Sequence, residues 1–131
     1  MDKSLRYLEE HAKRVREGVA KPLIVEEFGL ARDGQSHALD GAVDRRNAFY
    51  TAVAHRAADL GVVGVMPWAW GGEGRPRSPG CYWQAGDDVI GDPPHEPQGW
   101  YSVFDKDEAT LLAMRRLASE EFPEWEANAA G

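Results

Sequence analysis

The chain has 131 residues, a net charge of −7 and a hydrophobic share of 43% that includes five tryptophans. This length suits one domain, and the hydrophobic share can supply a packed core. The acidic balance argues against nucleic-acid binding, which needs a basic face. A single cysteine, Cys81, excludes an internal disulfide. No stretch approaches the roughly 20 apolar residues of a membrane span, and the N-terminus lacks the apolar core of a signal peptide.

The first predicted element is an amphipathic helix from Ser4 to about Ala20. Charged residues fill one side of it. Apolar residues recur on the other side at spacings of three and four, the period of a helix face that covers something: Leu5, Leu8, Ala12, Val15 and Val19.

The next element is a predicted strand over residues 22–28. Its short apolar run, residues 23–25, contains β-branched members and is typical of a parallel strand buried on both faces. Pro22 fits at the first position, where no ladder donor is needed. The strand ends in Glu26 and Glu27. A carboxylate there is costly unless it faces a cleft, and chemistry in parallel barrels sits at this end of the strands.

Strand alternation predicts different surroundings for the two glutamates. One face carries Leu23, Val25 and Glu27, and the other carries Ile24, Glu26 and Phe28. On this interpretation the two carboxylates have different roles. The alternative is that both are solvated charges at a strand end, and the stretch alone leaves the two interpretations open.

A loop over residues 30–40 leads into a second predicted helix, residues 42–60, with Asp40 as its N-cap. Its apolar stripe comprises Phe49, Ala52, Val53 and Ala57. A second buried strand is predicted over residues 62–66, running on to Trp68. Alternation places on one of its faces Gly64, Met66 and Trp68.

Residues 71–104 form a long segment rich in Gly, Pro and Asp. Segments of this length are usually functional or disordered, and the aromatic residues here favour an ordered functional loop: Tyr82, Trp83, Trp100 and Tyr101. The last helix is predicted to begin at Asp105, which forms a capping box with Glu108. Residues 123–131 are predicted to be a frayed tail.

Helices and strands therefore alternate, which predicts the α/β class with a parallel sheet and helices packed outside it. Both strands have the apolar pattern of burial on two faces, yet a sheet of these two strands alone would leave each with an unpaired edge. The sequence thus requires neighbouring strands that it does not contain.

Three stretches resemble the C-terminal part of family 5 glycoside hydrolases, most closely the endo-β-1,4-mannanase branch. They are Lys21-Pro-Leu-Ile-Val-Glu-Glu-Phe-Gly29, Gly64-Val-Met-Pro-Trp-Ala-Trp-Gly-Gly-Glu-Gly-Arg-Pro76, and residues 86–105, whose length makes it the most specific. The resemblance covers about residues 4–120.

The resemblance implies a partial TIM (β/α)8 barrel, in which residues 1–122 supply strands seven and eight with the preceding helix. It implies that Glu27, directly before Phe-Gly, is the nucleophile of a retaining mechanism, and that Trp68 lies beneath the sugar beside it. Trp70 is a further substrate-binding candidate. Trp70, Trp83 and Trp100 either line additional sugar subsites or anchor the loop by packing, and the sequence favours neither.

The resemblance also implies what this stretch lacks. The first six strands and the acid/base glutamate after strand four lie outside it, so we expect the chain alone to be inactive. The implied partners are a mannan or glucomannan polysaccharide and the missing N-terminal part of the barrel, with no nucleic acid and no membrane. The implied location is extracellular or periplasmic. The alternatives are a β-1,4-glucanase of the same family or a non-catalytic carbohydrate-binding unit.

The remaining polar residues indicate no cofactor and no metal. The acidic residues of the long segment fail the spacing of a calcium loop and are better explained as turn formers: Asp87, Asp88, Asp92 and Glu96. No histidine or cysteine cluster has zinc spacing, and Cys81 is expected to be inert. His37 and His95 lie in loops that could approach a substrate.

Overall fold

The computed structural model describes residues 1–122, which form three helices and four short strands. The predicted frayed tail lies outside the described residues. No helix within residues 1–122 is long and apolar enough to cross a membrane. In chain order the elements are α1 (Asp2–Arg14) with a π-helical extension (Val15–Val19), β1 (Ile24–Phe28), a 3₁₀ turn (Asp33–Gln35), α2 (Asp44–Asp59), β2 (Gly64–Pro67), β3 (Trp70–Gly72), β4 (Val103–Phe104) and α3 (Glu108–Glu121).

The strands β1 and β2 pair in parallel, so the predicted α/β alternation is confirmed. Ile24 stands opposite Gly64, and Val25 stands opposite Val65. Paired residues of a parallel sheet share a face, so Gly64 and Met66 lie with Ile24. Gly64 and Met66 therefore do not share the face of Leu23 and Val25.

The pairing of β1 with β2 is irregular near its end. Val25 pairs with Val65, but the next pair joins Phe28 to Pro67. The ladder therefore advances three residues in β1 for two in β2, which is the signature of a β-bulge. Glu26 and Glu27 both occupy the extra step. Simple alternation consequently does not separate these two glutamates, contrary to the sequence-based prediction.

The faces of this small sheet are more exposed than the apolar pattern predicted. Ile24 and Met66 are each 49% exposed, and Val63 is 56% exposed. The cause is the two free edges, because β1 and β2 pair only with each other within the described residues. A cleft of about 480 Å³ lies between the sheet and the helices α2 and α3, and its lining is largely apolar.

Two predicted helix caps are wrong in detail. The helix α2 begins at Asp44 rather than near residue 42, and the carboxylate at its start comes from Asp33, which accepts from the Arg45 backbone N–H at 3.1 Å. The helix α3 begins at Glu108 with Asp107 at the N-cap position. The predicted cap Asp105 instead accepts a hydrogen bond from Arg75.

The predicted long loop contains strand pairing that the sequence did not indicate. Trp70 of β3 pairs with Val103 of β4, and Gly72 pairs with Phe104. The Phe104 ring lies against Gly71, where an added Cβ would come within 2.9 Å of it. The segment between the two strands is thus closed at its base into a bonded unit.

The helix α2 lies at the centre of the packing, in contact with α1, α3 and β2. Its buried side follows Tyr50, Val53, Ala54 and Ala57, close to the predicted stripe. It also buries Arg46, which is 0% exposed. A charged side chain therefore occupies the first position of the buried stripe of α2.

Candidate active site

Glu27 lies near the carboxyl end of β1, and Trp68 follows the carboxyl end of β2, the strand that pairs with it. Glu27 is exposed, and Trp68 directly follows β2 and is half-buried. The Trp68 backbone N–H donates to the Phe28 carbonyl oxygen at 2.7 Å, so the chain leaving β2 remains bonded to the end of β1. The peptide bond between Trp68 and Ala69 is cis. A solvent-facing carboxylate and an indole thus share the end of the sheet where parallel barrels carry their chemistry.

Glu27 also borders a cleft of about 560 Å³ at the free edge of β1. The opposite wall of that cleft is the first turns of α1, including Tyr7 and His11, whose rings stack at 4.0 Å. The floor is apolar and includes Phe49 and Val53 of α2.

Tyr50 joins the ends of both strands from beneath. Its hydroxyl donates to the Trp68 carbonyl oxygen at 3.0 Å, and its ring packs edge-on against Phe28 at 5.2 Å between centroids. Tyr50 is 1% exposed. Burial raises the pKa of Tyr50 from 10.0 to about 12, so its hydroxyl remains a donor even at a pH where a free tyrosine ionises.

Arg46, one turn earlier on α2, binds three backbone carbonyls. Its Nε donates to Leu30 at 3.0 Å, Nη1 donates to Ser102 at 3.4 Å, and Nη2 donates to Trp100 at 3.3 Å. Desolvation lowers the pKa of Arg46 from its ordinary value. The guanidinium therefore connects the loop after Glu27 with the end of the long segment.

Asp107 supplies the carboxylate for two buried arginines. Arg32 donates to it at 2.7 Å, and Arg46 lies 3.6 Å from the same oxygen. The Phe104 backbone N–H also donates to Asp107, at 2.9 Å. These groups link the β1–α2 loop to the start of α3.

Asp92 is the acceptor at the centre of the long segment. It is 3% exposed and accepts from the backbone N–H groups of Gly99 at 2.9 Å, Tyr101 at 2.7 Å and Ser102 at 3.3 Å. The Ser102 hydroxyl donates to it as well. The ordered loop that the aromatic residues predicted is thus held by a buried carboxylate.

The tryptophan candidates lie in different settings. Trp70, on β3, is 61% exposed and available to a ligand. Trp83 is half-buried and donates through Nε1 to the Asp87 carbonyl oxygen at 3.3 Å, as a loop anchor does. Trp100 packs against His37 and Tyr101, with centroid separations of 5.7 and 5.1 Å.

The acidic residues of the long segment bind protein donors, as expected for turn formers. Asp87 accepts from the Gln84 backbone N–H at 2.9 Å, which lowers the pKa of Asp87, and the Arg77 side chain adds to this. Asp88 accepts from the Arg75 backbone N–H at 2.9 Å.

One group among residues 1–122 brings potential metal ligands together: His55, Glu120 and Glu121, with ligand atoms within 4.8 Å of one another. His55 and Glu120 are exposed, and Nε2 of His55 lies 3.5 Å from a Glu121 oxygen. Acidic groups at a helix end commonly cluster in solvent, and we assign no metal here.

Parallel β/α units with a carboxylate and an indole at the carboxyl ends of their strands are consistent with part of a barrel enzyme, and comparison with known proteins identifies the family. The model described as GH family 5 beta-mannosidase-like matches residues 1–121. The chain therefore belongs to glycoside hydrolase family 5, as its sequence resemblance predicted. No curated protein sequence matches it.

Solved structures agree with this assignment. A family 5 mannosidase from Rhizomucor miehei superposes with a TM-score of 0.78 at 28% identity, covering 94% of this chain and 31% of that one. A glutamate-to-alanine variant of that enzyme, in complex with mannosyl-fructose, has a TM-score of 0.66 at 28% identity, covering 88% of this chain and 31% of that one. An endo-β-1,4-mannanase from Thermotoga petrophila shares the fold, with a TM-score of 0.58, 22% identity, and coverage of 88% and 21%.

The chain thus spans about a third of the length of the fungal mannosidase that it matches. Its open two-stranded sheet is consistent with part of a barrel. The free edges and exposed apolar faces of that sheet follow directly from this partial coverage.

Proposed function

We propose that these residues form the C-terminal part of the catalytic domain of a retaining, endo-acting glycosidase that cleaves β-1,4-mannosidic bonds in mannan. On this proposal β1 and β2 are strands seven and eight of the barrel. The observation that carries it is the presence of an exposed Glu27 and of Trp68 at the carboxyl ends of two paired parallel strands. Residues 1–121 match the β-mannosidase-like family 5 model, which supports the substrate class.

The role assigned to Glu27 follows from the chemistry of retention. One carboxylate attacks the anomeric carbon, while a second carboxyl group about 5–5.5 Å away protonates the leaving oxygen. Glu27 is the attacking group in this proposal. The proton donor comes from a part of the barrel that residues 1–122 do not include, so the isolated chain is inactive.

The experiment replaces each glutamate in a complete barrel that carries these residues. Glu27→Ala abolishes turnover, because removal of the attacking group raises the barrier by several kcal/mol. Added azide then partly restores reaction of an activated mannoside. Glu26→Gln is the matched control and retains most of the activity. An inactive Glu26→Gln together with an active Glu27→Ala reverses the assignment, since the bulge leaves both residues opposite Met66.

Trp68 is proposed to stack beneath the sugar that reacts. An aromatic face matches the C–H surface of a pyranose, and contact is strongest with the distorted ring of the transition state. Trp68→Ala therefore lowers kcat as well as affinity in the same complete barrel. A loss confined to KM assigns Trp68 to a distant subsite instead.

A second candidate is an exo-acting β-mannosidase. The match to the β-mannosidase-like model and the similarity to a fungal mannosidase favour it. Product analysis separates the two: an endo-acting enzyme lowers the viscosity of mannan and releases oligosaccharides, whereas an exo-acting enzyme releases mannose alone. A β-1,4-glucanase is separated from both by its release of sugars from cellulose oligomers.

A non-catalytic carbohydrate-binding unit predicts a different result for the chain by itself. Such a unit binds mannohexaose through its exposed Trp70, and isothermal titration of the purified chain detects that binding. A partial barrel gives no heat of binding.

The proposed substrate is an extracellular polymer, so we propose that the complete enzyme acts outside the cytoplasm. Fractionation of the producing cells tests this location.

A further inference from the structure

Side chains of the helix α2 bind the backbone of the loop after Glu27, of Trp68 and of the segment that carries Trp100. Arg46 binds the carbonyl of Leu30, three residues after Glu27, and the carbonyls of Trp100 and Ser102. Tyr50, one turn further along, binds the carbonyl of Trp68. These bonds reach segments far apart in the chain, and all of them end on backbone atoms at the carboxyl side of the sheet.

The chemistry of the two side chains suits this role. A guanidinium presents five N–H donors in a rigid plane, so a single buried group can bind three carbonyls that a flexible ammonium cannot span. The hydroxyl of Tyr50 donates to the carbonyl oxygen of Trp68, and burial raises the pKa of Tyr50 to about 12, so the hydroxyl keeps its proton beyond the pH at which a free tyrosine ionises. Asp107, 3.6 Å from Arg46, balances the charge that burial would otherwise make costly.

We propose that Arg46 and Tyr50 are positioning residues that set the relative placement of Glu27, Trp68 and the loop bearing Trp100. Neither side chain is assigned contact with substrate. Arg46 holds the loop after the nucleophile strand against the long segment, and Tyr50 fixes the backbone of Trp68 while its ring supports Phe28. The catalytic part of this inference rests on the proposed function, and the part on backbone placement does not.

The first experiment measures backbone placement in the purified chain by hydrogen exchange with mass spectrometry. Arg46→Lys keeps the charge but loses the fork of donors. We expect exchange over residues 99–104 to rise about tenfold or more, as local opening becomes easier, while exchange within α2 changes less than about twofold. Arg45→Lys is the matched control, because Arg45 is the neighbouring residue and is exposed.

Two results overturn the placement. One is unchanged exchange over residues 99–104 in Arg46→Lys. The other is an equal rise in every peptide, which shows that Arg46 only stabilises the whole fold. Tyr50→Phe provides an independent variant, since it removes a single hydroxyl and keeps the ring against Phe28. Its expected effect is faster exchange confined to the residues around Trp68.

The second experiment measures kinetics in a complete barrel. A misplaced nucleophile reduces stabilisation of the transition state more than it reduces substrate binding. We therefore expect Arg46→Lys to lower kcat about tenfold and to leave KM within about twofold. Tyr50→Phe lowers kcat in the same sense, by less. Unchanged kcat in both variants, with Glu27→Ala inactive, overturns the positioning role alone. A complete barrel in which Glu27→Ala and Glu26→Gln are both active overturns the proposed function, whatever the result at Arg46.

Discussion

The two-stranded sheet β1–β2 is more exposed than its sequence pattern predicts, and the segment 71–104 is more buried than its pattern predicts. The sheet has the apolar pattern of a buried core, yet Ile24 and Met66 are half exposed. The segment has the Gly, Pro and Asp content of a surface loop, yet it contains the buried Asp92 and lies over the buried Arg46. Within the described residues the apolar strands have no partners on their outer edges, whereas the polar segment is held by hydrogen bonds to Asp92 and Arg46.

This difference shows that the two regions obtain their stabilising contacts in different ways. Apolar strands of a barrel are stabilised by the strands on either side, so their stability depends on chain that pairs with their edges. The segment 71–104 is held by hydrogen bonds to Asp92 and Arg46, both of which belong to residues 1–122. We therefore expect the two regions to respond differently to mutation and to solvent.

The largest expected effect concerns catalysis by the isolated chain. We expect no release of reducing sugar from mannan above background, because on the proposed function the proton donor lies outside residues 1–122 and general acid catalysis typically contributes a factor of about 10² to 10⁴. The measurement is a reducing-sugar assay on the purified 131-residue chain. Clear turnover that Glu27→Ala abolishes would mean that the chain, or a dimer of it, supplies its own acid.

The next largest effect is expected inside the long segment. Asp92→Asn replaces one carboxylate oxygen by an amide that cannot accept, so at least one buried donor from Gly99, Tyr101 or Ser102 loses its partner. We expect a loss of about 3 kcal/mol in the free energy of unfolding. Urea unfolding followed by tryptophan fluorescence measures it. The control Asp40→Asn, at an exposed turn, changes it by less than about 0.5 kcal/mol.

A similar or smaller effect is expected from alkaline pH. The pKa of Tyr50 is about 12 in the folded chain against 10.0 for a free side chain. Between these values the unfolded tyrosine ionises while the folded one stays protonated, so stability falls as pH rises from 10 to 12. The loss approaches roughly 2 to 3 kcal/mol. Tyr50→Phe removes this part of the pH dependence, and an identical alkaline slope in the variant would contradict the assignment to Tyr50.

The smallest effect on stability is expected on the exposed face of the sheet. Met66→Gln should change the free energy of unfolding of the isolated chain by less than about 0.5 kcal/mol, because Met66 is 49% exposed. The same change should reduce self-association, which light scattering measures, because it interrupts an apolar surface. A large loss of stability would show that this face is already covered in solution.

The order and type of the main elements could be predicted from the sequence, because each has a clear local period. The helices α1 and α2 and the strands β1 and β2 lie within a few residues of their predicted bounds. Glu27 and Trp68 were placed at the strand ends by the same patterns and by resemblance. Their faces could not be predicted, because the bulge at Glu26 and Glu27 changes the alternation and leaves no clear local signal.

The buried polar network was missed because its contacts are distant in sequence. Arg46 and Trp100 are joined across 54 positions, and Arg32 and Asp107 across 75. One signal was available: Arg46 precedes Tyr50, Val53 and Ala57 on the apolar stripe of α2, at helical spacing. A charge on a buried stripe indicates a partner elsewhere in the chain, although the sequence does not say which one.

The bulge in β1 has a consequence for insertions and deletions. Two residues, Glu26 and Glu27, fill one step of the ladder between Val25 and Phe28. Deleting either one leaves an evenly paired strand with a single glutamate, in which Val25 and Phe28 still stand opposite Val65 and Pro67 and still share a face. A deletion at this step therefore removes a carboxylate from the strand end without changing the pairing on either side of it.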